Sequence, residues 1–324
     1  MIWIQFIICS TALTWFSYHL CQEGIILSEK THISEGIIGM IFLAIATSFP
    51  EISTAATSVY FLGKVGLGYA DIVGSVVINF MILFGVDYFS GKGRMFLKIS
   101  RLNRMSGVVI LLLSFVVLGA SVTRMSGRTI PSFMGLGIEN FIIVLIYFIA
   151  LRKFKNAETV LHVEVKKNTE PKWVIWGKFI GLLLVVVFLG AWMAKVGEAI
   201  VNTTGLSQTF TGVLFLGIAT SLPEIIVTFA ALRAGSLNMA VGNVLGSNMF
   251  DICIIPFLDI LNKTPILGML TRGQVLVTAV MFVISLVFVV SSFVKKETSS
   301  RLNWDTAAIF AIGFAGFVIV YFVK

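Results

Sequence analysis

Charge is what this chain has least of: 12% of its 324 residues are Asp, Glu, Lys or Arg, about half the share usual in globular proteins. A soluble two-domain enzyme of this length needs a charged surface that these residues cannot supply. Proline is scarce, with 6 copies, and mean hydropathy is +0.98, which excludes disordered, collagen-like and linker compositions. The three cysteines, Cys9, Cys21 and Cys253, lie in or beside apolar runs without paired spacing. They support neither a disulfide framework nor a zinc site and read as packing residues. His19, His32 and His162 are isolated, and the sequence has no HExxH or GxGD run, so the signatures of an intramembrane hydrolase are missing. What is abundant is apolar side chain, at 57% of residues. The chain reads as an all-α integral membrane protein. Its formal charge of +8 does not indicate nucleic-acid binding, because the basic residues fall in short loops between apolar runs.

A helix needs about 20 apolar residues to cross the hydrocarbon core. Ten segments qualify, at residues 2–20, 36–60, 70–89, 105–122, 130–151, 174–194, 211–232, 240–262, 273–294 and 305–323. No basic stretch precedes the first, which therefore reads as a span and not as a signal peptide. With the N-terminus outside, the inner loops hold 17 Lys and Arg residues and the outer ones 7, and the positive-inside rule selects that orientation. The expectation is a multi-pass protein of the cell (plasma) membrane with both termini extracellular. The longest polar stretch, residues 152–172, reads as a cytoplasmic linker. It separates a first unit of five spans (residues 1–151) from a second (residues 173–324).

The two units share sequence. Leu43 to Ile52 reads LAIATSFPEI and Leu216 to Ile225 reads LGIATSLPEI, identical at eight of ten positions. Further on, DIVGSVVIN (Asp71 to Asn79) and NVLGSNMFD (Asn243 to Asp251) match at Gly74/Gly246 and Ser75/Ser247 and pair Asn79 with Asp251. The motif regions run over residues 39–80 and 212–252. Because each unit has an odd number of spans, the second must enter the membrane upside down relative to the first. Inverted repeats with a midplane ligand site at their interface are a recurrent plan of secondary transporters.

The matched residues are chemically coherent. Glu51 and Glu224 lie near the middle of their spans, where an ionised carboxylate costs about 2.5–3.5 kcal/mol, and Asp251 is a third such acid. Pro50 and Pro223 remove a helical N–H, so helix regularity should fail around Ala46 to Thr47 and Ala219 to Thr220, freeing carbonyls. Such a break is tolerable in lipid where the backbone lines a cavity. Thr47 and Glu51 are four residues apart, as are Ser75 and Asn79, Thr220 and Glu224, and Ser247 and Asp251, so each pair shares a helical face. Carboxylates, hydroxyls, amide oxygens and carbonyls are the ligand set of hard cations such as calcium. Gly74 and Gly246, and likewise Gly39 and Gly212, read as points of close helix approach.

On these motifs, ATSFPE with GSVVIN and ATSLPE with GSNMFD, the sequence resembles the calcium/cation antiporter superfamily, and specifically its prokaryotic sodium/calcium exchangers. The resemblance implies ten helices in two inverted five-helix repeats. Spans two, three, seven and eight would form the ion-binding core, against which the long first and sixth spans would slide. It implies that Glu51 and Glu224, with the Thr47 and Thr220 carbonyls, hold calcium. Ser48, Ser75 and the Ala44 carbonyl would form one outlying sodium site, and Ser221, Ser247 and Gly217 the other, with Asn79 and Asp251 completing the centre. Two positions depart from the pattern. Gly217 stands where its partner is Ala44, which predicts a looser backbone. Asp71 stands where its partner is Asn243, and reads as a cation-attracting group at the outer mouth or as a headgroup-level charge.

The function expected is therefore exchange of calcium for sodium across the membrane by alternating access. The ions are transported substrates, no cofactor is implied, and the surroundings are the lipid bilayer without nucleic acid or an obligatory protein partner. Protons, or sodium together with potassium, remain open as alternative counter-ions, since the same glutamates would serve and GSNMFD resembles the segment of potassium-dependent exchangers. A channel has no need of near-identical inverted acidic repeats, and an enzyme would lack stoichiometric counter-transport.

Overall fold

The computed structural model describes residues 1–30, 46–133, 135–155, 171–295, 300 and 303–323, and these are predominantly helical. The first helix, α1 (Ile2–Lys30), is followed by α2 (Phe49–Ala56), which continues as a wider helical turn over Thr57–Phe61, and by α3 (Val65–Phe89), α4 (Arg101–Met125) and α5 (Ile138–Lys155). The second half begins with α6 (Lys172–Thr204). Next comes α7, a bent helix whose arms Gln208–Thr220 and Leu222–Arg233 meet at 42°. The chain ends with α8 (Leu237–Asn262), α9 (Arg272–Phe293) and α10 (Trp304–Phe322). Seven of these helices are long and apolar enough to cross a membrane, and the bent α7 adds an eighth. Residues 36–45, the start of the second expected span, lie outside the described residues.

Several expected spans differ at their ends. α5 starts at Ile138 and not near residue 130, because Ser132–Phe133 and Leu136–Gly137 pair as a short antiparallel hairpin. Gly135 takes φ +82° at its turn, a backbone state that costs glycine little. At the other extreme, α1 has 29 residues and α6 has 33. At 1.5 Å per residue these are about 44 and 50 Å long, well beyond the roughly 30 Å hydrocarbon core. The two lie against each other and share an apolar core of Leu13, Leu20, Phe179, Val186 and Met193, joined by Leu216 and Ala219 of α7. A separate and larger core binds α3, α4, α8, α9 and α10.

The surface is turned inside out relative to a soluble protein. Phe115, Leu145, Phe148, Leu184 and Phe188 stand exposed on their helices, while Ser75, Ser114, Asn79 and Thr278 are buried. Exposed apolar area on this scale suits lipid contact. Inside, α3 and the first arm of α7 touch through backbone. A Cβ on Gly74 would sit 2.6 Å from the Val213 Cα, and one on Gly217 would sit 3.2 Å from the Ser75 nitrogen. Gly217 thus answers to close packing against α3, and the backbone there is held, not loose.

Each half also carries a buried aspartate eight residues beyond its matched Asn79 or Asp251. Asp87, at the end of α3, accepts from the Met95 N–H at 3.0 Å, the Asn303 amide at 2.9 Å and the Thr306 hydroxyl at 2.7 Å. Asp259, at the end of α8, accepts from the Ile266 N–H at 2.7 Å and the Asn140 amide at 2.6 Å. An ion pair accompanies each: the buried Arg94 Nε lies 2.9 Å from Asp305 Oδ2, and the partly buried Arg124 Nε lies 2.9 Å from Glu139 Oε1. These clamps sit at opposite ends of the bundle. Asn238, in the first turn of α8, accepts from the Ser100 N–H at 2.7 Å, so α8 begins at the end where α3 stops. The two helices therefore run antiparallel.

Arg94 is 2% exposed and also donates to the Val294 carbonyl at 2.7 Å. Asp305→Ala strands that guanidinium in a buried place, which costs about 3–5 kcal/mol. The expected result is a markedly lower melting temperature in detergent, with much of the loss recovered in Arg94→Met/Asp305→Leu, where no charge is stranded. Unchanged melting of the single variant would contradict a structural role for the pair.

Candidate functional site

The site is built on the two helix breaks. Pro50 and Pro223 each occupy the second position of a new helical segment, where the missing N–H has no partner within that segment to lose. The break falls at Ser48 (φ −89°, ψ 6°) and at Ser221 (φ −83°, ψ 0°), sequence partners in nearly the same conformation. This is one residue later than the sequence predicts. Ala46 and Ala219 lose the N–H that a residue other than proline would offer their carbonyls. Glu51 and Glu224 fall in the first turn of the helical segment after each break, where the positive end of the helix dipole favours a carboxylate.

Both glutamates are fully buried, as are Asp251 on α8 and Asn79 on α3. Among the described residues, no hydrogen bond of normal geometry reaches the side-chain oxygens of Glu51, Glu224, Asp251 or Asn79, or the Ser48 and Ser221 hydroxyls. The other hydroxyls bond across the halves: Thr47 Oγ1 lies 3.0 Å from Ser247 Oγ, and Ser75 Oγ lies 3.2 Å from Thr220 Oγ1. Since Thr47 corresponds to Thr220 and Ser75 to Ser247, exchanging the halves converts one bond into the other. The Glu224 carboxyl lies beside Thr47 and Ser247, and that of Asp251 beside Ser48. Glu224, Asp251 and Asp71 all act electrostatically on Glu51. Ser75 therefore packs with Gly217 and Thr220 of the second half, and Ser247 with Thr47 of the first. Ala44 lies outside the described residues.

Asp71 is the main correction. It is fully buried, and its Oδ1 accepts from the Thr220 hydroxyl at 3.2 Å, so it is not a headgroup-level charge. Its helix starts at Val65, five residues before the hydropathy boundary, which places Asp71 well inside the bundle. Asn248 is missed by sequence reading. It is fully buried with neither amide atom bonded, yet its partner in the first half is Val76, so the repeat gives no signal for it. Cys21 of α1 packs with Ala46 and Val227, which brings α1 against both breaks, and the Cys9 thiol donates to the Leu189 carbonyl of α6 at 3.3 Å.

Chemically, the arrangement offers buried oxygens of several kinds. Among the described residues no three His, Cys, Asp or Glu side chains already converge as a metal site. Hydroxyls, amides and carbonyls would therefore share any coordination with the carboxylates, as hard cations of flexible geometry permit.

Known proteins show the same fold. The H+/Ca2+ exchanger CAX matches with TM-score 0.72 at 13% identity, covering 99% of this chain and 86% of its own. The sodium-calcium exchanger NCX_Mj matches with TM-score 0.62 at 21% identity, covering 98% and 99%. In sequence, membrane protein MJ0091 of Methanocaldococcus jannaschii is 28% identical over 70% of each chain. The family model described as sodium/calcium exchanger protein matches residues 1–152 and 174–323. On that match, extending over nearly the whole length, this chain belongs to the sodium/calcium exchanger protein family of membrane exchangers.

Proposed function

We propose that the protein is a secondary active antiporter that exchanges calcium for sodium by alternating access. One observation carries the reading: two sequence-matched breaks each present a buried, unbonded glutamate, and the hydroxyls beside them bond across the halves in reciprocal pairs. Calcium would be held by Glu51 and Glu224 with the Thr47 and Thr220 carbonyls, aided by Asn79 and Asp251. Sodium would use overlapping oxygens, including Ser48, Ser75, Ser221, Ser247 and the backbone at Ala44 and Gly217. Shared glutamates make the ions exclusive, and that exclusion couples their movements.

The architecture that serves this reading is ten spans in two inverted five-helix repeats, residues 1–151 and 173–324, joined by a cytoplasmic linker at 152–172. The antiparallel run of α3 and α8, the paired clamps at Asp87 and Asp259, and the two stretches matched by the family model support it. With 17 of the Lys and Arg residues on one side, both termini would face outward. α1 and α6 would slide across α2 and α7 to open each face in turn.

Calcium uptake into sodium-loaded proteoliposomes tests this directly. Glu51→Gln and Glu224→Gln keep size and remove the charge that offsets a dehydrated divalent ion. Each should slow uptake at least about a hundredfold, or about 2.7 kcal/mol, and should abolish calcium-induced thermal stabilisation. Exchange retained in either variant would remove that glutamate from the site. Asp251→Asn should be milder, slowing uptake by about tenfold or less and changing the preference between sodium, potassium and pH gradients. A variant as inactive as Glu51→Gln would make Asp251 an equal ligand. Wild-type uptake driven by pH alone would replace sodium with protons at the same residues.

A further inference from the structure

The faces of α3 and α8 that meet the breaks carry three polar residues each at four-residue spacing. On α3 these are Asp71, Ser75 and Asn79, and on α8 they are Asn243, Ser247 and Asp251. Residues so spaced stack along one side of a helix. The two ladders correspond position by position but carry their carboxylates at opposite ends. Because α3 and α8 run antiparallel, Asp71 lies toward the face at which α3 begins and Asn243 toward the opposite face, with Asn79 and Asp251 between them. Eight residues separate Asp71 from Asn79, about 12 Å along the helix, and Asn243 is displaced by the same amount in the other direction.

The surroundings of the two end residues differ as well. Asp71 Oδ1 and Ser75 Oγ each lie 3.2 Å from Thr220 Oγ1, and Asp71 Oδ2 has no partner among the described residues. A hydroxyl that donates to a carboxylate is free to accept from a second hydroxyl. Thr220 Oγ1 also lies 3.0 Å from the Leu216 carbonyl, so its one proton is shared between that carbonyl and Asp71, and the carboxylate keeps lone pairs for a cation. Asn243 instead donates to the Thr228 hydroxyl at 3.1 Å and lies 3.5 Å from the Glu224 carbonyl. It adds no charge beside the Thr47–Ser247 pair.

We propose that Asp71 is the charged ligand of a monovalent-cation site, shared with Ser75 and Thr220, on the passage from the central glutamates to the face at which α3 begins. The matched passage to the other face has the neutral Asn243 in its place. The two outlying clusters are then unequal, and the exchanger binds its counter-ion more tightly from the Asp71 face. This rests on the exchanger reading for the identity of the transported ions.

The test measures sodium dependence separately at each face, using right-side-out and inverted vesicles from cells producing wild type, Asp71→Asn or Asp71→Ser. The expected result is that half-saturating sodium at the Asp71 face rises about tenfold in both variants. At the opposite face it should rise by less than about threefold. Equal shifts at the two faces, or no shift, would overturn the proposal. A second measurement does not depend on transport: sodium-, lithium- and potassium-induced thermal stabilisation of the purified protein in detergent. The concentration giving half the effect should rise about tenfold in the Asp71 variants for at least one of these ions. Identical titrations for wild type and variants with all three would overturn the proposal, whether or not calcium is transported. Absence of calcium exchange by wild type under every gradient would sink the exchanger reading alone.

Discussion

An ionised carboxylate is expensive inside a bilayer, by about 2.5–3.5 kcal/mol on insertion scales, and this bundle buries Glu51, Asp71, Glu224 and Asp251 together. Burial of this kind persists where something offsets it. Helix dipoles do part of that work, since both glutamates lie in the first turn after a break. One threonine hydroxyl serves Asp71. Among the described residues the remaining carboxylate oxygens have hydroxyls nearby but no well-formed hydrogen bond and no cationic side chain, so cations are the natural complement. A site of this kind is costly to carry across the membrane without its ions, and that cost is a physical origin for obligatory exchange: one cation leaves productively when another replaces it.

The rest of the architecture holds this charge in a fixed frame, and α1 and α6 form the cover that would move in the proposed mechanism. The Asp87 and Asp259 clamps tie helix ends on opposite faces, and the large apolar core joins α3, α4, α8, α9 and α10 into one body. α1 and α6 share a core of their own. Contacts between the cover and α2 are of a kind that can be re-made. The Ser53 hydroxyl donates to the Val187 carbonyl at 2.5 Å and the Thr54 hydroxyl to the Gly190 carbonyl at 3.1 Å. A helix presents a carbonyl at every residue, so a hydroxyl that lost one acceptor in the proposed sliding of α6 would meet another.

Much of this was legible in the sequence, for physical reasons that can be named. Lipid demands apolar length, so most membrane-crossing helices appear as hydropathy runs, and duplicated acids directly after duplicated prolines mark the candidate site in the sequence. Helix ends were less legible. α1 continues past residue 20 through Gln22 and Glu23, and α6 past residue 194 through Lys195 and Glu198, because a helix projecting beyond the hydrocarbon tolerates charge. Asp71 was misplaced for the same reason: hydropathy sees the apolar run, whereas the helix begins at Val65. The pairing of Thr47 with Ser247 and of Ser75 with Thr220 spans 200 and 145 residues. No local pattern encodes contacts of that range, although the repeat already showed that any such contact would have a twin.

The counter-ion must be argued from residues and not from the fold. CAX and NCX_Mj, named for different counter-ions, both match this chain with TM-scores above 0.6. A transported proton needs one basic atom, which a glutamate supplies by itself. Sodium needs several oxygens at once, most of them neutral, because each replaces a water of its hydration shell. Beside its glutamates this chain places the hydroxyls of Thr47, Ser247, Ser75 and Thr220 in two bonded pairs, with the unbonded Ser48 and Ser221 at the breaks themselves. Six buried hydroxyls around two carboxylates support the sodium reading proposed above. A desolvated sodium ion would use them, and their repetition in both halves gives each side of the membrane a place to supply one.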